Sequence, residues 1–457
     1  MNQLSGLEDN EVKLNRDLQS ILNRQTQVDA AVYTSVSEIL NEVRQNGDEA
    51  VRGYALQFDG YDCKHKSAKP SDTFSSAALA TDYNWLVTQD EISAAVKNVG
   101  IDFMGVLNRA ATQITDYHIN QVDKPWSMYK DNGVMMGQII RPLSRVALYV
   151  PGGTAAYPSS VLMNGIPAKI AGVKDIAIFT PVKADGQVPD AILAAAAVCE
   201  ISQIYKVGGA HAIAAAAYGT ESIPKADKIV GPGNIYVATA KQLVYGQVDI
   251  DMIAGPSEIL IIADETANPR YIAADMMSQA EHDTLASAIL VTTSESLISA
   301  TEAELTRQIA GLSRKDIIEE SLKNYGAAIH VETLDEAIEI SNAIAPEHLE
   351  ILTQDPISHL PKVQNAGSIF LGQYNPEPLG DYMSGPNHVL PTGGTARFYS
   401  PLGVYDFQKR SSYSYYPRTA LAGLKDDVIA FALAEGLDAH ANAVKVRFDC
   451  DGSFNKK

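Results

Sequence analysis

Four of the nine histidines in this 457-residue chain stand beside carboxylates, all in its second half. His282 closes "SQAEH" after Gln279 and Glu281, and His348 follows Glu347 in "APEHLE". His388 follows Asp381 in "GDYMSGPNHVLP", and His440 follows Glu435 in "AEGLDAHANAV". Imidazole and carboxylate are natural zinc ligands. They are also the natural groups for proton transfer near neutral pH. Gln279 and His282, three apart, share a helix face that could grip a metal, although Gln is an unusual ligand. Any one pair taken alone reads better as a helix-end salt bridge or a capped turn, but four together favour chemistry. The HExxH of zincin proteases and the GxSxG nucleophile elbow are both missing. Ser257 in "GPSE" has no local base and reads as a ligand-contacting hydroxyl rather than a nucleophile. His65 and His118, far from other reactive groups, are expected at the surface, and His330 and His359 read as structural.

Glycine-rich loops form a second group: "PGGTAAYPSS" after "RVALYV", "GGAHA" after "QIYKV", "GPGN" after "DKIV", and "AGPSE" before "EILIIAD". Glycine lets backbone approach a ligand, and the N–H groups at a following helix start favour anions such as a pyrophosphate. Each loop alone could be a plain strand-to-helix turn, but four point to a nucleotide or phosphate-bearing ligand. The GxGxxG dinucleotide fingerprint is missing.

The elements that must carry these loops alternate. From residue 145 to about 245, and again from about 257, short apolar strands are separated by helices, which implies parallel sheets covered on both faces. In such sheets ligands sit at the carboxyl ends of the strands. The fold class expected is α/β, with two similar domains built on parallel, incomplete Rossmann-like sheets. Residues 1–60 read as helices broken at Gly47 and Gly60, 61–90 as a surface insertion or long loop, and 91–120 as helical again. The division expected is a helical segment over 1–30, one discontinuous domain over 31–148 and 259–402, and a second domain over 149–258. Residues 403–457 form a tail suited to packing on a partner subunit.

The net charge of −19 and pI near 4.9 argue against nucleic acid, whose binding needs clustered Lys and Arg. The three cysteines are widely spaced, with no CxxC, and read as reduced thiols. No signal peptide and no membrane-length apolar run is evident, so a cytoplasmic protein is expected.

The motifs "RVALYVPGGTAAYPSSVLMNGIPAKIAGV", "DKIVGPGNIYV", "IDMIAGPSEILIIAD", "MMSQAEHD", "APEHLE", "GDYMSGPNHVLPT", "SPLGVYDFQKRSS" and "AEGLDAHANAV" together closely resemble histidinol dehydrogenase, from about residue 30 to 448. The resemblance implies a zinc-dependent homodimer with shared active sites. It implies oxidation of L-histidinol to L-histidine through L-histidinal, with two NAD. Gln279, His282, Asp381 and, from the other subunit, His440 would be zinc ligands, one zinc per subunit. Glu347 and His348 match the catalytic pair. Ser257, His388 and Glu435 match substrate contacts, joined there by His348 and the four zinc ligands. Tyr149, His211 and Asn234 fall at NAD contacts, with one departure: His211 stands where the family usually has Gln, in "GGAHA". The nearest alternative is a related zinc- and NAD-dependent dehydrogenase of another small alcohol, such as a sulfonated diol. A metal-dependent hydrolase would use the carboxylate–His pairs but have no need of the glycine loops.

Overall fold

The computed structural model describes residues 2–5, 30–63, 83–152, 156–253 and 255–448. One compact unit holds the chain up to Val122 together with Leu143–Phe407, and a second holds Asp123–Pro142 with the chain from Gln408 onward.

The first unit begins with a strand, β1 (Asn2–Ser5), which pairs in parallel at the edge of a sheet. This corrects the helical reading of the N-terminus for those residues; 6–29 lie outside the described residues. Helices α1 (Ala30–Tyr54), α2 (Gln89–Asn98) and α3 (Gly100–His118) follow. Gly47 breaks α1 with φ 52 and ψ −131, and Gly60 closes the next turn in the left-handed region, as their residue type suggested. Thr88 and Glu91 form a reciprocal capping box that starts α2. Of the presumed insertion, 64–82 lie outside the described residues, but its end is core. Trp85 is buried, and residues 85–87 bond the edge of a sheet through Val87 N–H to Ile204 O (2.9 Å) and Lys206 N–H to Trp85 O (2.7 Å). His118 is also buried rather than at the surface, with Nδ1 2.7 Å from Gln121 Oε1.

After an excursion through the second unit's strands β2 (Trp126–Tyr129) and β3 (Met135–Pro142), the chain enters the expected alternation. It runs β4 (Arg145–Tyr149), α4 (Pro158–Ala171), β5 (Asp175–Phe179), α5 (Asp190–Val198), β6 (Gln203–Tyr205), α6 (Gly209–Tyr218), β7 (Lys228–Val230), α7 (Ile235–Val244) and β8 (Asp249–Ile250). The strands form a parallel sheet in the order β6-β5-β4-β7-β8. Every residue of β4 is buried, as a sheet covered on both faces requires. Val36, Leu40, Ile92 and Ile114 of the first three helices share this sheet's core. The two cores of the next sheet contain none of the described residues of 31–148.

The second sheet comprises β9 (Glu258–Ala263), β10 (Ser287–Thr292), β11 (Gly326–His330), β12 (His348–Leu352) and β13 (Ser368–Leu371), in the order β1-β11-β10-β9-β12-β13, all parallel. Helices α8 (Pro269–Ala280), α9 (Glu295–Ile309), α10 (Lys315–Tyr325), α11 (Leu334–Ile344) and α12 (Glu377–Tyr382) complete it. Successive residues of β9 serve opposite layers: Ile259 and Ile261 pack with Met276 and Leu297, Leu260 and Ile262 with Ile338 and Ile344.

In the second unit, β3 pairs antiparallel with β2 and with β14 (Gln408–Tyr415). Gly133, at φ 82, makes the hairpin turn, its N–H donating to Lys130 O. Three short helices follow: α13 (Arg418–Ala422), α14 (Lys425–Ala434) and α15 (Asp438–Lys445). No described helix is long and apolar enough to cross a membrane.

Candidate active site

Two neighbouring strands set the centre. Glu258 opens β9 and His348 opens β12, with His348 in register with Ile259. Helix α11 stops where Ala345 turns left-handed (φ 56), and Pro346 cannot continue it. Glu347 and His348 therefore enter the sheet from a tight turn rather than ending a helix. The backbone of Glu258 holds both of them. Its N–H donates to Glu347 Oε2 at 2.9 Å, and its carbonyl lies 2.9 Å from His348 Nδ1. A carbonyl can only accept, so Nδ1 carries the hydrogen and Nε2 keeps its lone pair. Burial holds the His348 imidazole down to about 4, so it is neutral near pH 7. Burial also pushes the Glu347 carboxyl well above the usual range.

Nε2 of His348 faces α12, where Glu377 and Asp381, four apart, share one helix face. Glu377 Oε1 lies 3.6 Å from Nε2. Ligand atoms of His348, Glu377 and Asp381 lie within 4.8 Å of one another. Burial, with the charge of Asp381 adding to it, pushes Glu377 up to about 8. Asp381 Oδ1 also lies 3.7 Å from His388 Nδ1. The end of α8 meets this group, because Ser278 Oγ donates to Glu377 Oε2 at 3.3 Å. Gln279 is next in sequence and buried, with no partner for Oε1 among the described residues. His282, just past the helix end, is exposed. The converging carboxyls of Glu377 and Asp381 with the His348 imidazole fit a divalent cation, whose charge would offset the cost of burying the acids.

Asn387, the residue before His388, is anchored to α4 of the first sheet. Pro167 inside α4 has no N–H for the Met163 carbonyl, and Asn387 Nδ2 supplies the missing donor at 2.6 Å. Ser257 lies one residue ahead of β9, its carbonyl accepting from Ser287 N–H at 3.0 Å.

The reactive cluster lies at the amino ends of β9 and β12, not at the carboxyl ends where ligands were expected. In the first sheet the strand order turns at β4, and the residues expected at a cofactor lie toward the strands' carboxyl edge: Tyr149 ends β4, His211 stands in the first turn of α6, and Asn234 lies between β7 and α7. Tyr149 Oη accepts from Gly209 N–H at 3.0 Å. His211 is 1% exposed, and neither ring nitrogen has a partner among the described residues. Asn234 caps α7, its Oδ1 accepting from Tyr236 and Val237 N–H at 3.1 and 3.2 Å, which turns its NH2 outward. Glu435 and His440 belong to the second unit and are both exposed.

Sequence reasoning missed Glu377. The cue was present: in "PEPLGDY" it stands four residues before Asp381, where a helix puts both carboxyls on one face.

A sequence model of the histidinol dehydrogenase family matches residues 22–448. A histidinol dehydrogenase of Lactococcus lactis is 58% identical over 96% of this chain and 97% of its own length. One of Clostridium acetobutylicum is 54% identical over 94% and 95%. The crystal structure of histidinol dehydrogenase from Elizabethkingia anophelis superposes with a TM-score of 0.87 at 35% identity, covering 98% of both chains.

Proposed function

The chain belongs to the histidinol dehydrogenase family, NAD-dependent oxidoreductases, and from that premise we propose that it oxidises L-histidinol to L-histidine through L-histidinal at one zinc site per subunit, consuming two NAD. Gln279, His282 and Asp381, with the partner subunit's His440, would hold the metal. Bound there, zinc would anchor the imidazole and amine nitrogens of histidinol while NAD accepts hydride. His348 takes the carbinol proton at Nε2, the atom its Nδ1 hydrogen bond leaves open. Glu347 anchors Oε2 on the Glu258 N–H and uses Oε1 to take a proton from the water that hydrates the aldehyde. Its burial raises its basicity for that step. His348 accepts the proton of the second oxidation. Ser257, His388 and the partner subunit's Glu435 contact the substrate, and Tyr149, His211 and Asn234 contact NAD.

The observation that carries this reading is the Glu347–His348 pair, both members held by the backbone of Glu258, facing the carboxyls of α12. A homodimer is supported by the helices of the second unit. Val428, Phe431, Leu433 and Leu437 are all exposed there, an apolar surface suited to a second copy. The sulfonated-diol alternative finds no support among the named relatives.

The test separates the half-reactions. Glu347→Gln should slow oxidation of histidinal more than oxidation of histidinol, whereas His348→Asn should slow both. Undiminished histidinal turnover by Glu347→Gln would exclude the water-activating role.

A further inference from the structure

A buried ion pair outside the proposed active-site residues grips one peptide of the "GPGN" loop. Lys241 of α7 and Asp251, just past β8, are paired, and both side chains are buried. Between them they satisfy both polar groups of Gly231. Its N–H donates to Asp251 Oδ2 at 2.7 Å, and its carbonyl accepts from Lys241 Nζ at 2.9 Å. Asp251 Oδ1 also accepts the N–H of Met252 at 2.6 Å. Gly231 sits at φ +114, so close to β4 that a Cβ there would lie 2.1 Å from the Tyr149 carbonyl oxygen. Three residues on, Asn234 caps α7. Tyr149 in turn accepts the N–H of Gly209, which opens α6, the helix carrying His211.

A buried ion pair is weak evidence for stability, since an apolar pair of similar volume often serves as well or better. What an apolar pair cannot do is bond a buried peptide at both ends. We infer that Lys241 and Asp251 are positioning residues for the cofactor: they fix the Gly231 peptide, and through it the placement of Tyr149 and Asn234 against NAD. The inference rests on the proposed NAD contacts of those residues.

The test is a double-mutant cycle on the zinc-loaded enzyme, with NAD and histidinol affinities measured separately by calorimetry. Lys241→Met/Asp251→Leu removes both charges at similar volume. Its expected phenotype is a Kd for NAD weakened about tenfold, the scale of loss that a misplaced contact loop produces. The Kd for histidinol and kcat at saturating NAD should be unchanged. A role in stability alone predicts that the single variants lose NAD affinity and thermal stability together and that the double variant recovers both. Wild-type NAD affinity in the double variant, or equal weakening of both ligands, overturns the inference. Should the double variant not fold, Asp251→Asn keeps an acceptor for Gly231 N–H and weakens the hold on Lys241. It should weaken NAD about threefold and leave histidinol unchanged, and no change in NAD affinity overturns the inference. If the wild-type enzyme itself binds no NAD, the functional reading fails rather than the clamp.

Discussion

Replacing His211 with glutamine tests two consequences of burying this ring. The imidazole is 1% exposed, and burial holds it down to about 3. In the unfolded chain it protonates near 6.5. Between those values the unfolded state binds a proton that the folded state refuses, so stability falls as pH falls through that window. Above the unfolded value both states are neutral and the contribution vanishes. At about pH 5, roughly 1.5 pH units into the window, the deficit is about 2 kcal/mol. Glutamine does not titrate, so His211→Gln escapes this loss, while the other titrating groups cancel between the two proteins. Urea unfolding of both at about pH 7.5 and about pH 5 should show the variant gaining about 2 kcal/mol on wild type at the lower pH. An equal difference at both values would mean that the ring is solvated and the burial argument is wrong. The same pair addresses the cofactor: the KM for NAD should change more than the KM for histidinol. Equal changes, or none, would remove His211 from the NAD site.

Chelation should abolish activity and zinc should restore it. His440→Asn should lower the zinc content of the purified dimer, and a full complement of zinc would strike His440 from the ligand set. Gly231→Ala places a methyl group against the Tyr149 carbonyl at a φ that alanine rarely adopts, and should destabilise the fold by about 3 kcal/mol or more; a thermal midpoint equal to wild type would contradict the packing described. Asn387→Ala leaves the Met163 carbonyl without its donor, costing about 1–3 kcal/mol, and should raise the KM for histidinol through His388. An unchanged KM would show that His388 does not depend on that bond.

The two parallel sheets were legible because their strands are short, apolar and separated by helices with clear starts, such as the Asn268 cap and Pro269 at the first position of α8. Segments whose structure depends on distant partners were not. β1 exists through pairing with β11. Trp85 reads as part of a loop until β6 lies beside it, and His118 reads as a surface residue until Gln121 supplies its partner. The hairpin of β2 and β3 was overlooked although "DNG" marks its turn. In the site, the resemblance singled out Glu347, His348, Asp381 and His388, and all four lie in one electrostatic cluster. Glu377 escaped notice because no histidine follows it in sequence; its neighbour is His348, brought there by the fold. That the backbone of one residue, Glu258, holds both Glu347 and His348 depends on strand register, which sequence does not display.

One site is proposed to carry out both oxidations. The most direct test is the amount of NADH formed per histidinol when a limiting quantity of histidinol is run to completion with excess NAD and the zinc-loaded enzyme. Two NADH per histidinol are expected, with histidine as the product and no free aldehyde released. A yield of one, with histidinal accumulating, would contradict it.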